Sequence, residues 1–282
     1  MTLIAILIGT LAAGIGSVWL AAALSFGPLS RYTQHMLSMA AGALLGTAFL
    51  HLLPEAFESQ RIAPGALFLT LLVGVIFFFL LDKAELWHHG HEHHHGGDAS
   101  ADDTKPRRSV NSAHPAHSTH AGHAHAAHHH GHRVGGWTVL AGDSVHCFGD
   151  GILIASAFMA DLHLGLVAAL AVLAHEVPHH MGDLSVLGAG GGTRQAALLK
   201  VSLAGAITAL GGLAGYWLVD QLRNYLTYFL VVASGSYVYV ALADLIPQLQ
   251  KRLSLRQTLA QVSWLLAGIV LVTLAGQVAH RH

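Results

Sequence analysis

Two polar strings break long apolar runs in this chain: HCFGDG at residues 146–151 and HEVPHHMGD at residues 175–183. Imidazole, thiolate and carboxylate are the side chains that hold divalent metal ions. Three pairs stand four residues apart and so offer two donors to one ion: His146 with Asp150, His175 with His179, and Glu176 with His180. On a helix, Asp143, His146, Cys147 and Asp150 share a face about 100° wide. His175, Glu176, His179, His180 and Asp183 share another, about 140° wide. Two adjacent ion sites are expected. One lies between His146, Asp150, His175 and His179, the other between Cys147, Asp150, Glu176 and His180, with Asp150 bridging. The mixture of nitrogen, sulfur and carboxylate suits zinc and cadmium before magnesium or calcium, which prefer oxygen cages.

The elements that must hold these residues are membrane helices. The chain is 53% hydrophobic and only 10% charged, where soluble domains carry about 25% charged residues. The expected fold is therefore all-α, a polytopic membrane protein with the metal site between its fourth and fifth transmembrane helices. Eight stretches are long enough to cross, at about residues 2–26, 36–57, 65–87, 137–160, 164–187, 197–218, 226–247 and 259–279. The first has no Lys or Arg before its apolar core and no evident cleavage site, so it reads as a retained helix. Counted inward at about 1.5 Å per residue, His146–Asp150 and His175–His180 reach similar depths, roughly 14–20 Å into the membrane. An ionised carboxylate there costs at least about 2.5 kcal/mol, which turns it towards the bundle interior. Pro178 frees the carbonyl of Ala174 and loosens the fifth helix beside its ligands.

Charge supplies orientation and exclusions. The net charge of -1, with histidine neutral, lacks the basic excess of a nucleic-acid binder, and that class is dropped. Cys147, the single cysteine, has no partner for an intramolecular disulfide. Eleven of the 14 Lys and Arg residues fall in one set of alternate loops. The positive-inside rule then puts both termini outside and the long 88–135 segment in the cytosol. The organisation expected is one membrane domain: helices 1–3 over 1–87, a disordered loop over 88–135, and helices 4–8 over 136–282. That loop, His88 to His132, holds fifteen of the 24 histidines among Ser, Ala, Gly and Asp. It has no apolar period to bury, and it reads as a weak, plural metal binder.

Other polar residues in the spans extend a route. His51 and Glu55, four apart near the outer end of the second helix, suit an entrance. Asp143, Asp183 and Asp244, towards the cytosolic ends, suit an exit. Asp161, His163 and Asp220 fall in loops and read as solvated.

At these residues the chain resembles the ZIP (Zrt/Irt-like) metal transporters, especially their LIV-1-like branch. That branch's fourth-helix pattern HNFxDG and fifth-helix pattern HExPHExGD are similar to HCFGDG and HEVPHHMGD, and LHLLPEAF at 50–57 and ALADLIPQL at 241–249 are similar as well. The resemblance implies uptake of zinc or a related divalent ion into the cytosol across the cell membrane, through a binuclear centre, in a homodimer, and no enzymatic activity. It carries ligand roles to His146, Cys147, Asp150, His175, Glu176, His179 and His180. Cys147 stands where the pattern has Asn and His180 where it often has Glu. Both changes soften the centre, favouring cadmium as a second substrate over iron or manganese. A rival reading takes HEVPH at 175–179 as the H-E-x-x-H zinc site of an intramembrane metalloprotease, with Glu176 as general base.

Overall fold

A backbone in hydrocarbon has no water to bond to, so long apolar segments close into helices. The computed structural model describes residues 1–25, 33–59, 62–90, 136–189, 193–249 and 253–279, and within them the regular structure is all helical. The long helices are α1 (Thr2–Ser25), α2 (Thr33–Glu58), α3 (Pro64–Gly90), α4 (Gly136–Ala160), α5 (Leu162–Ala189), α6 (Arg194–Gln221), α7 (Leu226–Leu249) and α8 (Leu255–Ala279). Among the described residues, seven helices are long and apolar enough to cross a membrane. The exception to the expected eight is α4, whose described part carries the polar donors Asp143, His146 and Asp150. Helix α3 continues through His88, His89 and Gly90, three residues into the expected loop; residues 91–135 lie outside the described residues.

The helices pack in two sets. In one, α4 lies along α6, and α1 packs against α5 and α6; in the other, α2 lies along α8, and α3 lies against α7. Helix α5 reaches across to α2 and α8, and α4 touches α7, so the seam between sets runs beside the polar strings. The outer faces are apolar: α3 exposes Phe68, Leu69, Leu72, Val73, Ile76 and Phe77, and α8 exposes Leu259, Leu266, Val270 and Leu274. Such continuous apolar surface is what lipid tails cover.

Helix association in lipid rests on close packing rather than on expulsion of water. Glycine makes that approach possible at two crossings. At α4–α6, a Cβ on Gly151 would strike the Thr208 carbonyl, and one on Gly211 would strike the Phe148 carbonyl. At α2–α8, Gly42 abuts the Leu265 carbonyl and Gly268 that of Met39. Both α1 and α2 contain a π-helical turn, at Ala12–Gly16 and Ala48–Leu52. The second stands just before Pro54, whose missing N–H interrupts the regular ladder.

Between α4 and α5 the chain turns on one residue. Asp161 Oδ1 accepts hydrogen bonds from the backbone N–H groups of His163 (2.7 Å) and Leu164 (3.3 Å) and faces His163 Nδ1 at 3.0 Å. Partial burial pushes its carboxyl up, but these bonds win and hold it below the usual range. Asp161 is thus the cap of α5 and not simply solvated. Asp220, the other acid expected in a loop, closes the last turn of α6 and pairs with Arg223 at 2.6 Å.

The two glycines of HCFGDG should respond differently to alanine. Gly149 has open space at its Cβ position, whereas Gly151 has backbone of α6 there. Thermal melting of the detergent-solubilised protein is expected to show Gly151→Ala destabilised by about 1–3 kcal/mol. Gly149→Ala should be neutral or stabilising by up to about 1 kcal/mol.

Candidate metal centre

The reversal at Asp161 sets the level at which side chains of α4 and α5 meet. His146 and His175 lie 15 and 14 residues from Asp161 along the two helices, so they face one another. Their Nε2 atoms are 3.4 Å apart, and His146 Nε2 lies 3.3 Å from Glu176 Oε1. Two donors bound at about 2.1 Å to one tetrahedral ion are separated by about 3.4 Å. His146, His175 and Glu176 therefore form a ready group for one cation, with Asp150 Oδ2 beside them, 3.7 Å from His146 Nε2.

One turn further from Asp161 a second group gathers: Asp143, Glu176, His179 and His180, all four donors within 4.8 Å of one another. His180 Nε2 lies 2.9 Å from Glu176 Oε2, and Asp143 Oδ1 lies 3.6 Å from His179 Nδ1 and 4.0 Å from His180 Nδ1. Cys147 Sγ flanks the group, 3.7 Å from Asp143 Oδ1 and 4.0 Å from Glu176 Oε2. Asp183 Oδ2 approaches from the next turn of α5, 3.4 Å from His179 Nδ1 and 3.7 Å from His180 Nδ1. Burial is severe: His180 and Cys147 are fully buried, Glu176 is 1% exposed, and within this second group only His179 is open.

This differs from the partition read from the sequence. Glu176, rather than Asp150, is common to both groups, and Asp143 stands among the donors of the second. The cause is level. Asp143 and His179 are each 18 residues from Asp161, whereas Asp150 is 11. Counting from the turn is a signal that the sequence contains and that the facing arcs alone do not use. His51 and Glu55 belong to neither group: His51 is half-buried in the π-turn of α2, its ring over Gly276 of α8, and Glu55 is exposed. The side chain of Asp244 lies outside the described residues. Sequence reasoning also passed over Tyr237 on α7, 2% exposed and with a hydroxyl that makes no hydrogen bond.

The family model described as ZIP Zinc transporter matches residues 1–276. The chain belongs to the ZIP zinc transporter family. Human zinc transporter ZIP13 is 30% identical over 306 residues, covering 97% of this chain and 81% of its own length. Human zinc transporter ZIP4 is also 30% identical, over 77% of this chain and 39% of its own length. Rat zinc transporter SLC39A7 is 28% identical over 86% of this chain and 64% of its own.

Members of the ZIP family are transporters and not enzymes. The protease reading also lacks geometric support in this ZIP protein. His175 and His179, which would have to share one ion, sit in different donor groups, and Glu176, which would have to be the free base, belongs to both.

Cys147 makes a specific prediction. A thiolate beside the second group favours softer cations. Zinc uptake by this ZIP protein should therefore be inhibited by cadmium severalfold less in Cys147→Asn than in the unsubstituted chain, measured as the concentration of cadmium that halves the flux.

Proposed function

We propose that this protein carries zinc across the cell membrane into the cytosol, through a two-ion stop between α4 and α5. The observation that carries the reading is Glu176. It is buried and shared between two groups of nitrogen and oxygen donors, inside a bundle whose outer faces are clad in apolar side chains. Its ligands are His146, Cys147, Asp150, His175, Glu176, His179 and His180. Cadmium is a second substrate, and iron and manganese are poorer ones. His51 and Glu55 receive ions outside; Asp143, Asp183 and Asp244 lead them towards the cytosol. Both termini face outward, the histidine-rich loop faces the cytosol and gathers arriving ions, and the chain works as a homodimer. A rocking of the helix set that contains α4 and α5 exposes the stop first to one side and then to the other. Pro178, inside α5, eases that movement by leaving one backbone bond unmade.

The test is flux. In proteoliposomes with an internal zinc-sensitive dye, the chain should admit zinc, and Glu176→Gln and His179→Ala should each lower uptake by more than about tenfold. Wild-type vesicles no leakier to zinc than empty ones would end the transport reading. Imidazole and carboxylate must release protons to bind metal. Uptake should therefore be full above the ordinary imidazole pKa of about 6.5 and fall as external pH drops through it. Equal initial rates at pH 7.5 and 5.5 would show that the entry ligands do not titrate in this range.

A further inference from the structure

The ligand set proposed above leaves out an acid that the geometry puts inside it. Asp143 lies on α4 one turn beyond His146, its side chain 2% exposed. Its Oδ2 is buried and makes no hydrogen bond. Its Oδ1 faces three donors, His179 Nδ1 at 3.6 Å, His180 Nδ1 at 4.0 Å and Cys147 Sγ at 3.7 Å. The two nitrogen distances exceed the roughly 2.7–3.2 Å of a hydrogen bond to nitrogen. They lie nearer the edge of about 3.4 Å that separates two ligands of one tetrahedral zinc ion.

We infer that Asp143 is a metal ligand, completing with Glu176, His179 and His180 a second cation position that the sequence pattern assigns to Asp150 and Cys147. The inference rests on the transport reading and adds a ligand to it. Three considerations converge. Level is the first: Asp143 and His179 stand at equal distance from the turn, while Asp150 is two turns nearer to it. Charge is the second. Without Asp143 the second position would have only the shared charge of Glu176 to set against a divalent cation; the Asp143 carboxylate adds the second negative charge in a medium where net charge is expensive. The third is the unbonded Asp143 Oδ2 itself, a buried acceptor whose cost a cation removes and a purely structural role would not. The thiol at its flank then acts as an alternative donor: zinc is held by the carboxylate of Asp143, and a softer ion draws in Cys147.

Zinc counting tests this on the full-length protein in detergent, dialysed against buffered free zinc, with metal per chain read by elemental analysis. The histidine-rich segment contributes equally to every variant. Asp143→Asn and His146→Ala should each bind one zinc fewer than wild type, and the double variant two fewer. Asp143→Asn that binds the wild-type number with wild-type affinity would overturn the inference. A second arm does not depend on loss. Asp143→Cys in a Cys147→Asn background, loaded with cobalt(II), should show a near-ultraviolet thiolate-to-cobalt charge-transfer band. Folded protein that takes up cobalt without that band also overturns it. Either failure leaves wild-type zinc flux intact, whereas absence of that flux would remove the transport reading instead.

Discussion

An acid buried at the depth of lipid tails must be neutralised, and in this protein Glu176 is the acid that the surrounding arrangement answers to. It is 1% exposed, with His146 3.3 Å away on α4 and His180 2.9 Å away on its own helix. Neither helix meets this requirement alone. The acid lies on α5 with three of the imidazoles grouped around it, and the fourth, His146, comes from α4 together with Asp143, so the turn at Asp161 and the pairing of those two helices are conditions for the site to exist.

That pairing is held from behind. Helix α4 carries too many polar groups to face lipid, and it is sheltered by α6 at a crossing close enough that the carbonyls of Thr208 and Phe148 occupy the space a Cβ on Gly151 or Gly211 would need. Helix α5 is flanked by α1, α2 and α8 as well as α4. The donors thus sit where one helix set meets the other. A cation held there touches residues of one set only and lies against the seam with its neighbour.

Seven of the spanning segments, and the faces on which the clustered side chains of α4 and α5 meet, were legible because each follows from a simple periodicity: about 20 apolar residues to cross, and 3.6 residues per turn to choose a face. The grouping was harder. A helical wheel gives the direction of Asp143, Asp150 and His179 but not their height, and height depends on where two helices are tied together. The Asp161 cap supplies that tie, and its role was hidden because a lone acid between two spans looks like any wetted loop residue. Tyr237 escaped for another reason: an aromatic residue in an apolar helix reads as packing until its hydroxyl is found without a bond. The close crossings were legible only as glycine-rich stretches such as 211–215, since composition does not name the partner carbonyls at Phe148 and Thr208.

The π-turn at Ala48–Leu52 gives α2 a movable element. A turn of this kind is one residue inserted into an otherwise regular helix. Such an insertion can migrate along the rod by exchanging a few backbone bonds, and each residue it passes swings by about 100°. His51 sits within the inserted turn. Its imidazole, now over Gly276 of α8, can therefore be re-aimed like a needle on a dial by exchanging a few backbone bonds rather than by moving the whole helix.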